Sequence, residues 1–184
     1  SIDGVSAGML RGMTQVNTKS VNNRRDVRLA TLDDLIYEID RIERADAAKN
    51  LRPLGNWSPG QNLEHLAKFL ACSLDGFPDK PPLVFKAFGR VLRMVLGKRL
   101  LTKPPPPGFK LPKTVSFLPA DAGSVAEGAA SLRAQIERVW SGAAFIPASP
   151  FFGRLSREQW IELHLRHAEL HLSFVGIEQD SPAA

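Results

Sequence analysis

The chain has 184 residues, 43% of them hydrophobic, which suits one sizeable core and points to a single domain. Its one cysteine, Cys72, excludes an internal disulfide and a cysteine-based zinc knuckle, and fits a reducing, cytoplasmic setting. The net charge of +5 is modest, and no apolar run approaches the ~18–20 residues of a membrane-spanning helix.

Residues 1–20, "SIDGVSAGMLRGMTQVNTKS", lack periodicity and read as a loosely ordered or disordered arm ahead of one domain over residues 21–180. The paired arginines of "NNRRDVRLA" are followed by no apolar region, so the segment does not read as an export signal. Four helix starts then carry one device. Thr31-x-x-Asp34, Ser58-x-x-Gln61, Ser124-x-x-Glu127 and Ser156-x-x-Gln159 each set a hydroxyl three residues before an acceptor side chain, the capping-box pattern. Pro59 suits the first helical position, where its missing N–H costs nothing.

These starts predict helices over about 31–48, 58–75, 124–142 and 155–176. A further helix over about 82–101 is suggested by Phe85, Phe88, Val91, Leu92 and Val95 at helical spacing with cations between them. Proline- and glycine-rich connectors separate the helices, and no strand pattern stands out, so the expected class is all-α: a four-helix bundle with an additional basic helix. Residues 102–123 form a long connector in which Pro104 to Pro107 should run extended, either as a stiff crossover or as a binding loop.

From Lys80 to Ala120 there are nine cations and no acids. Such a field attracts anionic small molecules, phospholipid headgroups or nucleic acid, or is simply a solvated face. Aromatic residues interleaved with those cations are few, which argues against nucleic acid.

The last predicted helix concentrates the chemistry. Three of the four histidines, His164, His167 and His171, lie within two turns of it. At 100° per residue they share a stripe with Trp160 and Val175, while Glu158, Glu162, Arg166 and Glu169 fall round the other side. The histidines thus occupy the face that a bundle buries, and buried imidazoles need partners. His167 and His171, one turn apart, can converge on one ion, and His65 is the other histidine available to complete the set. Three neutral nitrogen ligands leave a coordination position for water or substrate. His164, one turn before His167, is a further ligand, a hydrogen-bond partner of a ligand or a proton carrier; with an ordinary pKa near ~6.5 it is the candidate general base. The order His167-Ala168-Glu169-Leu170-His171 is not the zincin H-E-x-x-H, and no Glu-x-x-His pair of the di-iron kind is present.

At these residues the chain resembles the DinB/YfiT-like superfamily of metal-dependent proteins. "LGNWSPGQNLEHLAKFL" (54–70) is similar to that family's tryptophan-then-helix segment ending in a ligand histidine, here His65. "WIELHLRHAELHLSF" (160–174) is similar to its late H-x-x-x-H segment, here His167 and His171. "VNNRRDVRLATLDDLIYEI", "PPPPGFKLPK" and "FFGRLSREQW" resemble a branch known as domains of unknown function. The resemblance implies a four-helix bundle with a three-histidine centre for zinc or nickel. In some members that centre serves transferases or isomerases that use a low-molecular-weight thiol.

On that reading Arg90 or Arg93 would hold the carboxylates of an acidic thiol. The extra basic helix and the polyproline connector depart from the better-known members and put the substrate in doubt. Competing expectations are a non-enzymatic binding or stress-response module with a structural metal, and a membrane-surface or nucleic-acid patch on the basic helix. A homodimer through one bundle face is the general expectation for an oligomer.

Overall fold

In the computed structural model the described residues are 15–78, 103–108, 116–120, 123–150 and 152–178. Among them are four α-helices: α1 (Leu32–Ala47), α2 (Pro59–Asp75), α3 (Val125–Trp140) and α4 (Arg157–Leu172). All four begin where the sequence signals place them. Thr31, Ser58, Ser124 and Ser156 are N-caps in extended conformation, and each closes a reciprocal capping box with Asp34, Gln61, Glu127 and Gln159. The predicted helix over 82–101, with Arg90 and Arg93 and most of the basic stretch, lies outside the described residues.

The helices are joined by their apolar faces. Ile39 and Ile42 of α1, Leu63 of α2, Ile136 and Ala129 of α3, and Leu172 of α4 are at or below 1% exposure in one contiguous cluster. Within it α2 packs most extensively on α3 and also on α4, while α1 packs on α3 and α4. The α2–α3 approach is close because Gly128 faces the first turn of α2. A Cβ at Gly128 would stand 2.7 Å from the Gly60 carbonyl and 2.8 Å from Leu63 Cβ. Across the surface, Arg133 of α3 pairs with Asp40 and Glu43 of α1.

Strands are present where none was expected. Leu51–Pro53 (β1) pairs antiparallel with Val175–Ile177 (β4), and Ala148–Ser149 (β2) pairs with Gly153–Arg154 (β3). At two or three residues each, these strands are too short to produce an alternating pattern that stands out from the background. The β1–β4 pair also ends α4 four residues before the predicted stop. Beyond Leu172 the chain turns through Ser173 and Phe174, and Val175 enters a strand rather than extending the histidine stripe. Arg25 stabilises that exit: its Nη2 donates to the Leu172 carbonyl (3.2 Å), its Nε donates to the Val175 carbonyl (2.6 Å), and the guanidinium pairs with Glu38 of α1.

The segment before α1 is docked on the far side of α4. Glu169 Oε1 accepts the Leu29 N–H (2.9 Å), and Arg166 donates to the Leu29 carbonyl while pairing with Glu169. The helical projection put Glu169 and Arg166 on a solvated side. Instead Glu169 is 2% exposed, because the chain segment leading into α1 covers that face. Helix α4 is therefore enclosed on two sides, by the histidine groove on one and by residues 24–30 on the other. No helix among the described residues is long and apolar enough to cross a membrane.

Candidate metal centre

The centre lies between α2 and α4. On α2, Asn62, His65 and Phe69 recur at three- and four-residue spacing and share one face, angled away from the Leu63, Leu66 and Leu70 stripe that enters the main core. All three are buried, His65 to 2% exposure. On α4, His164, His167 and His171 recur at the same spacings. Packing α2 against α4 turns these two rows toward one another, so residues about a hundred positions apart meet.

One ring nitrogen from each of His65, His167 and His171 lies within 4.8 Å of the other two. The Nε2 atoms of His65 and His167 are 3.2 Å apart, close to the ~3.3 Å edge of a tetrahedron whose arms are the ~2.0–2.1 Å of a zinc–imidazole bond. His65 is buried, whereas His167 and His171 are half-buried. The three-histidine cluster could hold a metal ion.

Two of the three rings are oriented by groups that can act in only one sense. His65 Nδ1 is 2.8 Å from the Phe117 carbonyl oxygen, and a carbonyl only accepts, so Nδ1 carries the proton and Nε2 keeps its lone pair. His171 Nδ1 is 3.3 Å from Asn62 Oδ1. The Asn62 amide is itself fixed, because its Nδ2 donates to the Ser58 carbonyl at 2.9 Å and so leaves Oδ1 for the histidine. His171 therefore also presents Nε2. His167 Nδ1 is buried without a hydrogen-bond partner.

Aromatic rings surround the three imidazoles. Trp57 stacks on His171 at a centroid distance of 5.3 Å and leans on His65 at 4.8 Å. Phe69 meets His167 edge-on at 4.7 Å, and Phe117 lies 5.9 Å from His65. This apolar enclosure sets the protonation states. Burial pushes the His65 pKa down to about 4, reinforced by the Lys68 charge and opposed by the Phe117 hydrogen bond. Burial, then the neighbouring imidazoles, hold His167 and His171 well below the ordinary histidine value. Neutral imidazoles with free Nε2 lone pairs are what a metal cation requires.

His164 stands one turn away and is 6% exposed, enclosed by Phe69, Phe145 and Trp160. Its Nε2 is buried without a partner, and burial pushes its pKa down to about 3, far from the ordinary value that the general-base expectation assumed. Asn62, Trp57, Phe69 and the Phe117 carbonyl carry much of the site and were not picked out by the sequence reading. Asn62 could have been found, since it lies one turn before His65 on the same face. The Phe117 carbonyl could not, because a main-chain oxygen leaves no signature in residue identity.

A family model described as "Protein of unknown function (DUF1569)" matches residues 21–177, a span containing all four helices and the three clustered histidines. No curated protein and no solved structure matches the chain.

Proposed function

The chain belongs to this family of unknown function, DUF1569, and from that premise we propose that it is a metal-dependent enzyme of the DinB/YfiT-like kind, folded as a four-helix bundle. The observation that carries the reading is the convergence of His65, His167 and His171, with two of the three tautomers set by Phe117 and Asn62 so that Nε2 keeps its lone pair. These three residues would hold the ion, and zinc or nickel suits an all-imidazole donor set. Bound there, such a cation supplies Lewis acidity and lowers the pKa of a water or thiol at its open position.

The remaining roles fall to the chain itself. His65 anchors the centre from the buried side, while half-buried His167 and His171 leave the approach from which a small molecule would arrive. Trp57, stacked on His171, restricts rotation of that ring and keeps bulk water from one side. The reaction we favour is S-transfer or isomerisation with a low-molecular-weight thiol, whose carboxylates Arg90 or Arg93 would hold. His164, neutral and enclosed in apolar rings, supports this reading as a packing partner of the ligand helix better than as a base.

A second reading is a binding module whose metal is structural. The aromatic packing of Trp57, Phe69 and Phe117 on the imidazoles favours it, because it narrows the room beside the three rings. Elemental analysis of purified wild type beside His65→Ala and His171→Ala tests the common premise. One ion per chain, lost in both variants, supports a shared centre and justifies a screen of thiols with electrophiles. No ion in wild type after reconstitution with zinc and nickel overturns the metal reading.

A further inference from the structure

The end of the long connector is held against α2 by three side chains in one row. Gln61 Nε2 donates to the Ala120 carbonyl (2.8 Å), Glu64 Oε2 accepts the Ala120 N–H (3.0 Å), and Lys68 Nζ donates to the Leu118 carbonyl (3.0 Å). Positions 61, 64 and 68 form a stripe on α2 directly beside His65. Lys68 and Glu64 also pair with each other at 2.8 Å, which fixes the direction of both. Just before these polar grips, Phe117 turns its ring inward against Phe69 and Phe77 and is 3% exposed. Its carbonyl then has no choice of place, and it meets His65 Nδ1.

We infer that Lys68 and Glu64 are positioning residues for the metal centre, acting through residues 116–120 to keep His65 in the tautomer whose Nε2 is free for the ion. This rests on the metal reading above and adds to it a path by which the connector governs the site. The Lys68–Glu64 pair is too exposed to contribute much as an ion pair in its own right. Its geometric consequence is larger: it places a main-chain acceptor 2.8 Å from a ligand ring. Partners that orient a metal-bound histidine commonly govern affinity as strongly as this requires.

The test uses Lys68→Met, which keeps the aliphatic stem and removes the grip on Leu118. Two readouts are needed: the zinc dissociation constant by competition with a chromophoric chelator, and the ring-nitrogen NMR signals of His65 in metal-free protein. The expected result is a dissociation constant about tenfold higher, at the lower end of the ~10–100-fold typical of outer-shell changes. It should come with a loss of the single Nδ1-protonated form of His65. Lys68→Arg should restore both, and Arg138→Met, which removes an exposed pair with Asp75 elsewhere on α2, should change neither.

Zinc affinity that falls while the His65 tautomer is unchanged overturns the inference, as does Lys68→Met protein in which both the affinity and the tautomer stay as in wild type. If wild type binds no zinc at all, it is the metal reading that fails. The tautomer measurement in metal-free protein still decides whether Lys68 positions His65.

Discussion

His65 and His167, 102 residues apart in sequence, bring their Nε2 atoms to 3.2 Å, with His65 held from behind by the Phe117 carbonyl. In the metal-free chain a neutral His167 can donate its Nε2–H to the His65 Nε2 lone pair across this gap. A shared cation would take the place of that proton, and the expected effects of single substitutions follow from which atom each side chain orients.

Asn62→Leu should weaken zinc binding by roughly 10–100-fold while leaving the helical content intact. Asn62 is 2% exposed, accepts from His171 and donates to Ser58. Losing it should also cost about 1–3 kcal/mol in stability, since a buried ring N–H is left unpaired. Competition titration and urea unfolding check the two effects separately, and unchanged zinc affinity would remove Asn62 from the site.

His164→Phe should leave zinc binding as in wild type and should not destabilise the fold. The ring it replaces already lies against Phe145, Trp160 and Phe69 and leaves Nε2 unpaired. Once an activity is in hand, a loss of turnover in this variant with normal zinc content would reinstate His164 as a proton carrier.

Glu169→Leu should destabilise the protein by about 1–3 kcal/mol in urea unfolding, because it leaves the Leu29 N–H without its acceptor and takes one of two carboxylates from half-buried Arg166, which keeps Glu162 and the Leu29 carbonyl. The paired variant Glu169→Leu with Arg166→Met should lose less than the sum of the two single losses, since both act on one contact. Additive losses would show that the two side chains stabilise the fold independently.

The metal-free protein should lose stability as the pH falls below about 6.5. His65, with its pKa lowered to about 4, and His164, lowered to about 3, stay neutral in the fold. An unfolded histidine titrates near ~6.5, so between these values the unfolded chain binds more protons and acid favours it. The penalty grows as pH falls through that window and levels off below the folded values. Melting temperatures in chelator at pH 7, 6 and 5 should fall in order, with a shallower fall in His164→Phe. A flat profile across that range would mean that the imidazoles are hydrated in solution.

Residue identity determined a good deal here by itself. The four helix starts were set by local chemistry, a hydroxyl and an acceptor three residues apart, which needs no tertiary partner to act. The candidate ligands were likewise readable, because helical spacing alone puts His164, His167 and His171 on one side of α4. Tertiary structure decided what stands on the far ends of those side chains. That Glu169 is buried rather than solvated depends on residues 24–30 crossing α4, which helical periodicity cannot anticipate. That α4 stops at Leu172 depends on Arg25 and β1, both over a hundred residues upstream. The tautomer of His65 depends on a carbonyl delivered by the connector, and a main-chain oxygen is the same at every position in the sequence. Spacing thus placed the candidate histidines on their helices, while the tautomers of His65 and His171 came from long-range packing.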